Sequence, residues 1–262
     1  MVSSASVQAP QSKTAYLTGG DEGFQRDPSL TSRAQRDAQL IDAMVAHVKA
    51  PLSETVVDGY VPAKYSDNLL KRHLEFFDPN RSGVMTFSEN YAGWRSIGMS
   101  RLKSTSQAVG SAVVFSGIAN TLRTAAQSVR AALLLGPQPD VGVFELSIDA
   151  AFQNRPANPS GILDAKGQLN EERFRGVMQS FLEFSRSERK PGQPADTMSE
   201  KQFVKFLGTE AVKGLSKKQF ETMLFVMHKC GGDGYVRPIH LAAIYSGALM
   251  YNAKAVLEAK AS

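Results

Sequence analysis

Asp78-Pro79-Asn80-Arg81-Ser82-Gly83-Val84-Met85-Thr86-Phe87-Ser88-Glu89 is the stretch that decides how this chain reads. Against the twelve-position loop of an EF-hand, oxygen-bearing side chains fall at positions 1, 3, 5, 9 and 12. Asp78, Asn80 and Ser82 offer side-chain oxygens, Val84 its backbone carbonyl, Thr86 an oxygen acting through water, and Glu89 both carboxylate oxygens. Gly83 supplies the sharp turn at position 6, and Met85 holds the apolar position at which paired loops exchange a short β contact. All-oxygen donors in this order suit a hard cation that takes about six to eight ligands, so Ca2+ is the expected ion. With only two carboxylates, the affinity should lie at the weaker end of the sensor range, on the order of 10⁻⁶ to 10⁻⁵ M.

Working outward, the spacing predicts a helix on each side of the loop. Leu69, Leu70, His73, Phe76 and Phe77 share a face between Ser66 and Phe77, and Phe87, Tyr91 and Trp94 form a stripe beyond it. An earlier helix is marked by Leu40, Ile41, Met44, Val45 and Val48, ending at Pro51. Further along, Pro137 and Pro139 signal a turn before a short strand within Val141 to Ile148. Phe174, Val177, Met178, Phe181 and Leu182 make another helical stripe, followed by a charged, Pro-containing loop over Ser185 to Thr197. Ser199 with Gln202 and Ser216 with Gln219 have capping-box spacing, and Pro238 suits the first turn of a helix covering Ile239 to Tyr251.

The expected fold is therefore mainly α, with one intact and one or two degenerate helix-loop-helix units. A polar arm over 1–30 precedes a domain over 31–262. That domain holds the EF-hand at 66–99, an apolar insert at 104–135 and an EF-like helical half at 160–262. Lys229 to Val236 resembles positions 1 to 8 of a loop, but Lys229 stands where an acid belongs and His240 occupies position 12. Ile162 to Leu169, with Asp164 and Gly167, is a second degenerate candidate short of ligands. Neither should bind calcium.

Composition narrows the partners. The 30 basic and 25 acidic residues leave a formal charge of only +5 with no block of like charges, which gives nucleic-acid binding little support. Cys230 is the one cysteine, so no internal disulfide forms and a cytoplasmic location is the simpler reading. The first thirty residues hold no apolar core of signal-peptide length, and Val2 stands where myristoylation requires glycine. Ser104 to Leu122 lacks charge, yet Ser, Thr, Gln, Asn and Gly dilute it and Arg123 and Arg130 follow, so no transmembrane span is expected.

Running from His73-Leu-Glu-Phe-Phe-Asp78 through Glu89-Asn-Tyr91-Ala-Gly93-Trp94, the chain resembles the caleosin signature: a histidine just before a single EF-hand and a Tyr-x-Gly-aromatic after it. Ser160-Gly161-Ile-Leu-Asp164, Asp233-Gly234-Tyr235-Val236 and Tyr245-Ser-Gly247-Ala-Leu249-Met-Tyr251 resemble later caleosin segments. The resemblance implies calcium binding, peripheral contact with lipid droplets or membranes, and haem peroxygenase chemistry on a hydrophobic small molecule or lipid. It implies His73 as a haem ligand. The family's second histidine belongs just before Ser160, where this chain reads Ala151-Phe-Gln-Asn-Arg-Pro156-Ala-Asn-Pro159. On periodicity alone, a histidine on an apolar helix face such as His73 is more often a hydrogen-bonded core residue than a ligand.

Three functions fit these observations: an oxidoreductase of peroxygenase type, a haem-free biosynthetic enzyme on the same scaffold, and a noncatalytic calcium-dependent lipid- or protein-binding module. For either enzyme, the expected site is an apolar pocket bordered by His73, Trp94 and the 104–135 segment, with calcium fixing the two helices that carry these side chains.

Overall fold

A computed structural model describes residues 32–52, 68–116, 145–148, 160–164, 166–214 and 217–261. The 1–30 arm, the Ser216 cap, residues 141–144 and the apolar insert beyond 116 lie outside them. Within the described residues the chain is mainly helical, as the periodicity predicts. No helix among them is long and apolar enough to cross a membrane.

Helix α1 (Arg33–Lys49) starts at a Ser32 N-cap whose side chain accepts from Gln35 N, with Gln35 reaching back to Ser32 N. Its buried stripe is Ile41, Met44, Val45 and Val48. Next come α2 (Leu69–Glu75), β1 (Val84–Thr86) and α3 (Phe87–Ser96) around the 78–89 loop, then α4 (Arg101–Ser116) and β2 (Glu145–Ser147). α2 is shorter than the predicted Ser66–Phe77 helix because Asn68 caps it, its side chain accepting from Lys71 N at 3.0 Å. Of the Ile162–Leu169 candidate, the described residues show the loop itself. It is a tight hairpin closed by a Leu163–Leu169 bridge, and the Gly167 and Lys166 carbonyls accept from Leu69 N and Asn68 Nδ2 at the start of α2.

The second half contains α5 (Glu171–Ser187), β3 (Met198–Ser199), α6 (Glu200–Phe206), α7 (Lys217–Cys230), β4 (Tyr235–Val236), α8 (Pro238–Ser246) and α9 (Ala248–Ala261). Gly247 at φ 82° divides the predicted Ile239–Tyr251 helix into α8 and α9. A cluster of fully buried phenylalanines, Phe174, Phe181, Phe203, Phe206 and Phe220, forms the core of this half. Phe181 meets Phe206, and Phe203 meets Phe220, edge to face.

Three loops share one register. In each, position 6 has a left-handed backbone: Gly83 (φ 80°), Asp196 (φ 53°) and Gly234 (φ 80°). Position 8 is a buried apolar residue, Met85, Met198 or Val236. Position 12, occupied by Glu89, Gln202 or His240, caps the following helix by accepting from the backbone N–H of Thr86, Ser199 or Arg237. β3 pairs antiparallel with β4, so two of these loops form a couple. β1 pairs with β2, placing Leu146 opposite Met85. The partner of the 78–89 loop is thus the 145–147 strand, and neither degenerate candidate.

α1 lies against α5 and α8. Its apolar stripe faces the second half, and ion pairs fasten its rim. Arg186 bonds Asp37 through both terminal nitrogens, at 2.6 and 2.5 Å, and Asp196 through Nε at 2.8 Å. Lys49–Glu171 at 2.7 Å and Arg175–Asp42 at 2.5 Å are more exposed and worth less.

Candidate metal centre

The 78–89 loop gathers its oxygen atoms through one chain of hydrogen bonds. Asp78 is fully buried. Its Oδ1 accepts from Ser82 N at 3.0 Å and Ser82 Oγ at 3.2 Å, and its Oδ2 accepts from Gly83 N at 2.8 Å. Ser82 Oγ also donates to the Val84 carbonyl at 2.9 Å, and Ser82 N donates to Asn80 Oδ1 at 2.9 Å. At the far end Glu89 Oε1 accepts from Asn80 Nδ2 at 2.7 Å, while Oε2 accepts from Thr86 N at 2.9 Å and Thr86 Oγ1 at 2.8 Å. All six sequence-predicted metal residues, Asp78, Asn80, Ser82, Val84, Thr86 and Glu89, therefore belong to one network. Among the described residues no three His, Cys, Asp or Glu side chains converge, so neutral oxygens would share the work of any ion held here.

Packing fixes the helices on either side. A Cβ on Gly93 would lie 2.5 Å from Phe77 Cδ1, so only glycine lets α3 approach the Phe77 ring this closely. Phe77 in turn stacks at a tilt on Trp94, with centroids 4.9 Å apart, and meets Phe76 edge to face at 5.1 Å. Phe77 immediately precedes Asp78, so the aromatic contacts anchor the first position of the loop.

His73 and Trp94 sit close to the loop in different roles. The His73 ring clasps two helices: Nδ1 lies 2.6 Å from the Leu69 carbonyl, and Nε2 bonds the Ile244 carbonyl at the end of α8. Gly247, whose Cβ would come within 3.1 Å of Arg72 Cβ, permits that approach. Both partners are acceptors, so bonding at both nitrogens requires the imidazolium. Burial nevertheless pushes the His73 pKa below its usual value; the two carbonyl bonds oppose this, and Arg72 adds to it. Trp94 is 9% exposed, and among the described residues its Nε1 has no hydrogen-bond partner. Asn90 Oδ1, one turn earlier on α3, and Ser104 Oγ on the adjoining α4 are likewise buried and find no partner among the described residues.

Compared with known families, residues 65–254 match the model described as "Caleosin related protein", well over half of the 262 residues. This chain belongs to the caleosin family. No curated protein and no solved structure matched. The match covers the loop, both flanking helices, Gly93, His73 and the Gly247 turn, so the caleosin motif residues acquire physical reasons. Gly93 makes room for Phe77, and Gly247 brings α8 within reach of His73.

Haem does not fit the described residues of this caleosin. An axial histidine must offer iron a lone pair. Here both His73 nitrogens face backbone carbonyl oxygens, and the 151–159 stretch supplies no second histidine. His228 pairs with Glu200 near the surface, His240 is a buried helix cap, and His47 is held by burial with its pKa pushed down to about 4.

Sequence reasoning missed the 191–202 loop, which the charge and prolines of Ser185 to Thr197 disguised. The signal was present in Met198-Ser199-x-x-Gln202, which repeats the pattern of Met85-Thr86-x-x-Glu89. It also missed Arg237 at position 9 of the last loop, where a guanidinium is no template residue.

Proposed function

We propose that this caleosin binds one calcium ion in the 78–89 loop and works as a calcium-set, haem-free protein toward a hydrophobic ligand. Asp78, Asn80, Ser82 and Glu89 would contribute side-chain oxygens, Val84 its carbonyl, and Thr86 a water-mediated contact. The observation carrying this reading is the network joining all six positions, with Asp78 already buried and oriented by backbone N–H groups. An entering ion would take over oxygens that now accept from Ser82 Oγ and Asn80 Nδ2. The protein would supply a partly assembled cage, and the ion would tie α2 to α3.

Titration calorimetry on the full chain tests the reading, with one site per chain as the expected result. Two comparable sites, or no heat with folded protein, would overturn it. For haem, the expected outcome after supplementation is no Soret band. A Soret band that His73→Ala abolishes would instead support peroxygenase-type chemistry on a lipid or other hydrophobic molecule.

A specific observation favours a ligand near Trp94. Buried polar atoms without partners cost on the order of 1–3 kcal/mol each, and Asn90, Trp94 and Ser104 carry three that find none among the described residues. A polar group on a hydrophobic small molecule or lipid would relieve that cost. Asn90→Leu and Ser104→Ala, singly, should then weaken such binding while leaving calcium stoichiometry at one.

A further inference from the structure

The last helix-loop-helix unit, α7–β4–α8, keeps the shape of a metal loop without acids at its first and twelfth positions, Lys229 and His240. Arg237 stands at position 9, where the 78–89 loop has Thr86, and its side chain is only 11% exposed. Its guanidinium turns back into the loop. Nη1 donates to Asp233 Oδ1 at 2.9 Å and to the Tyr235 carbonyl at 3.3 Å, and Nη2 donates to Asp233 Oδ2 at 2.5 Å. Asp233 and Tyr235 are positions 5 and 7, the counterparts of Ser82 and the Val84 carbonyl. Three oxygens from two of the positions that would face an ion thus face a fixed cation of the chain itself.

Its partner loop is filled by a neutral donor. Gln193, at position 3 and 4% exposed, donates from Nε2 to the Thr197 carbonyl at position 7, at 2.6 Å. Its Oε1 accepts from Lys190 N at 3.3 Å. The β3–β4 contact joins the two self-filled loops.

We propose that the Arg237 guanidinium is the permanent, built-in cation of the 229–240 loop, holding the α5–α8 pair in its loaded shape, so that calcium control is confined to the 78–89 loop. The second half of this claim rests on the calcium reading above. The planar fork suits the task because it meets both Asp233 oxygens and the Tyr235 carbonyl together, which a lysine ammonium cannot do in one geometry. Asp233 responds as a paired carboxylate, its pKa lowered first by the Arg237 hydrogen bond. The arrangement also explains why Lys229 at position 1 is tolerated: no ion needs an acid there.

Hydrogen exchange on the full-length protein, with calcium and with chelator, tests the proposal. In the unsubstituted chain, chelation should speed exchange in 78–89 about tenfold or more and leave 196–202 and 233–240 within about twofold. Arg237→Gln should speed exchange in 196–202 and 233–240 by about tenfold or more in calcium and in chelator alike, with Arg237→Lys intermediate. The proposal is overturned if calcium protects 233–240 as it protects 78–89, or if Arg237→Gln leaves 233–240 unchanged. Should Arg237→Gln not fold, Asp233→Asn, which keeps the guanidinium and removes its charge partner, must weaken protection at 233–240; unchanged protection there overturns the proposal equally. Failure of the 78–89 loop to respond to calcium would remove the calcium reading alone, since the Arg237 and Asp233 variants are also read in chelator.

Discussion

Replacing Glu89 with Gln should separate the two jobs of this side chain, capping α3 and holding the ion. Within the loop Oε2 accepts from Thr86 N and Oγ1, while Oε1 accepts from Asn80 Nδ2. A glutamine keeps one oxygen for the cap but turns an NH2 toward Asn80, losing a single bond worth about 1 kcal/mol. For the ion it loses both a charge and a second ligand oxygen, about 2.7 kcal/mol or a hundredfold in Kd. With a parent Kd near 10⁻⁵ M, 1 mM calcium is about 100 times Kd and stabilises the fold by about 2.7 kcal/mol. At about 2–4 °C per kcal/mol for a chain of this size, Tm should rise by roughly 5–10 °C. In Glu89→Gln the same calcium is near Kd, giving about 0.4 kcal/mol and a shift of roughly 1 °C. Paired melts in calcium and chelator read this directly. A variant that keeps the whole calcium-induced shift would refute Glu89 as a ligand, and a loss of stability in chelator far above 1 kcal/mol would refute the division between cap and ligand.

Gly93→Ala should cost about 1–3 kcal/mol despite alanine's better helix propensity, because the new Cβ falls 2.5 Å from the Phe77 ring; the urea midpoint reads it, and a more stable variant would refute the packing argument. His73→Ala should cost about 1–3 kcal/mol by opening the Leu69 and Ile244 contacts, with calcium stoichiometry still one by calorimetry. His47 sets an acid limit. Its folded pKa of about 4 lies below the usual 6.5, so the unfolded chain takes up the proton first as pH falls. Stability should therefore decline by about 1.4 kcal/mol per pH unit between 6.5 and 4 and level off below, with no contribution from this group above about pH 7. His47→Gln should flatten the slope in denaturant titrations across that window, and an unaltered slope would remove His47 as its source.

Sequence alone determined what is local in character. The twelve-residue order of Asp78 to Glu89 places oxygen-bearing side chains at the fixed intervals of a calcium-loop template, and the apolar stripes of α1, α3 and α5 specify helices because side chains three and four apart share a face. The Ser199–Gln202 capping box and the Pro238 helix start were legible for the same reason. Tertiary structure decided whatever depends on residues distant along the chain. Nothing near Met85 names the 145–147 strand as its partner, since a two- or three-residue β contact carries no sequence code of its own. The periodicity that put His73 on a helix face left its role open; the Ile244 carbonyl, 171 residues away, makes it a clasp. Arg237 matches nothing in the linear template, and only the fold turns its guanidinium onto Asp233 and Tyr235, because a side chain's target is set by where the backbone returns.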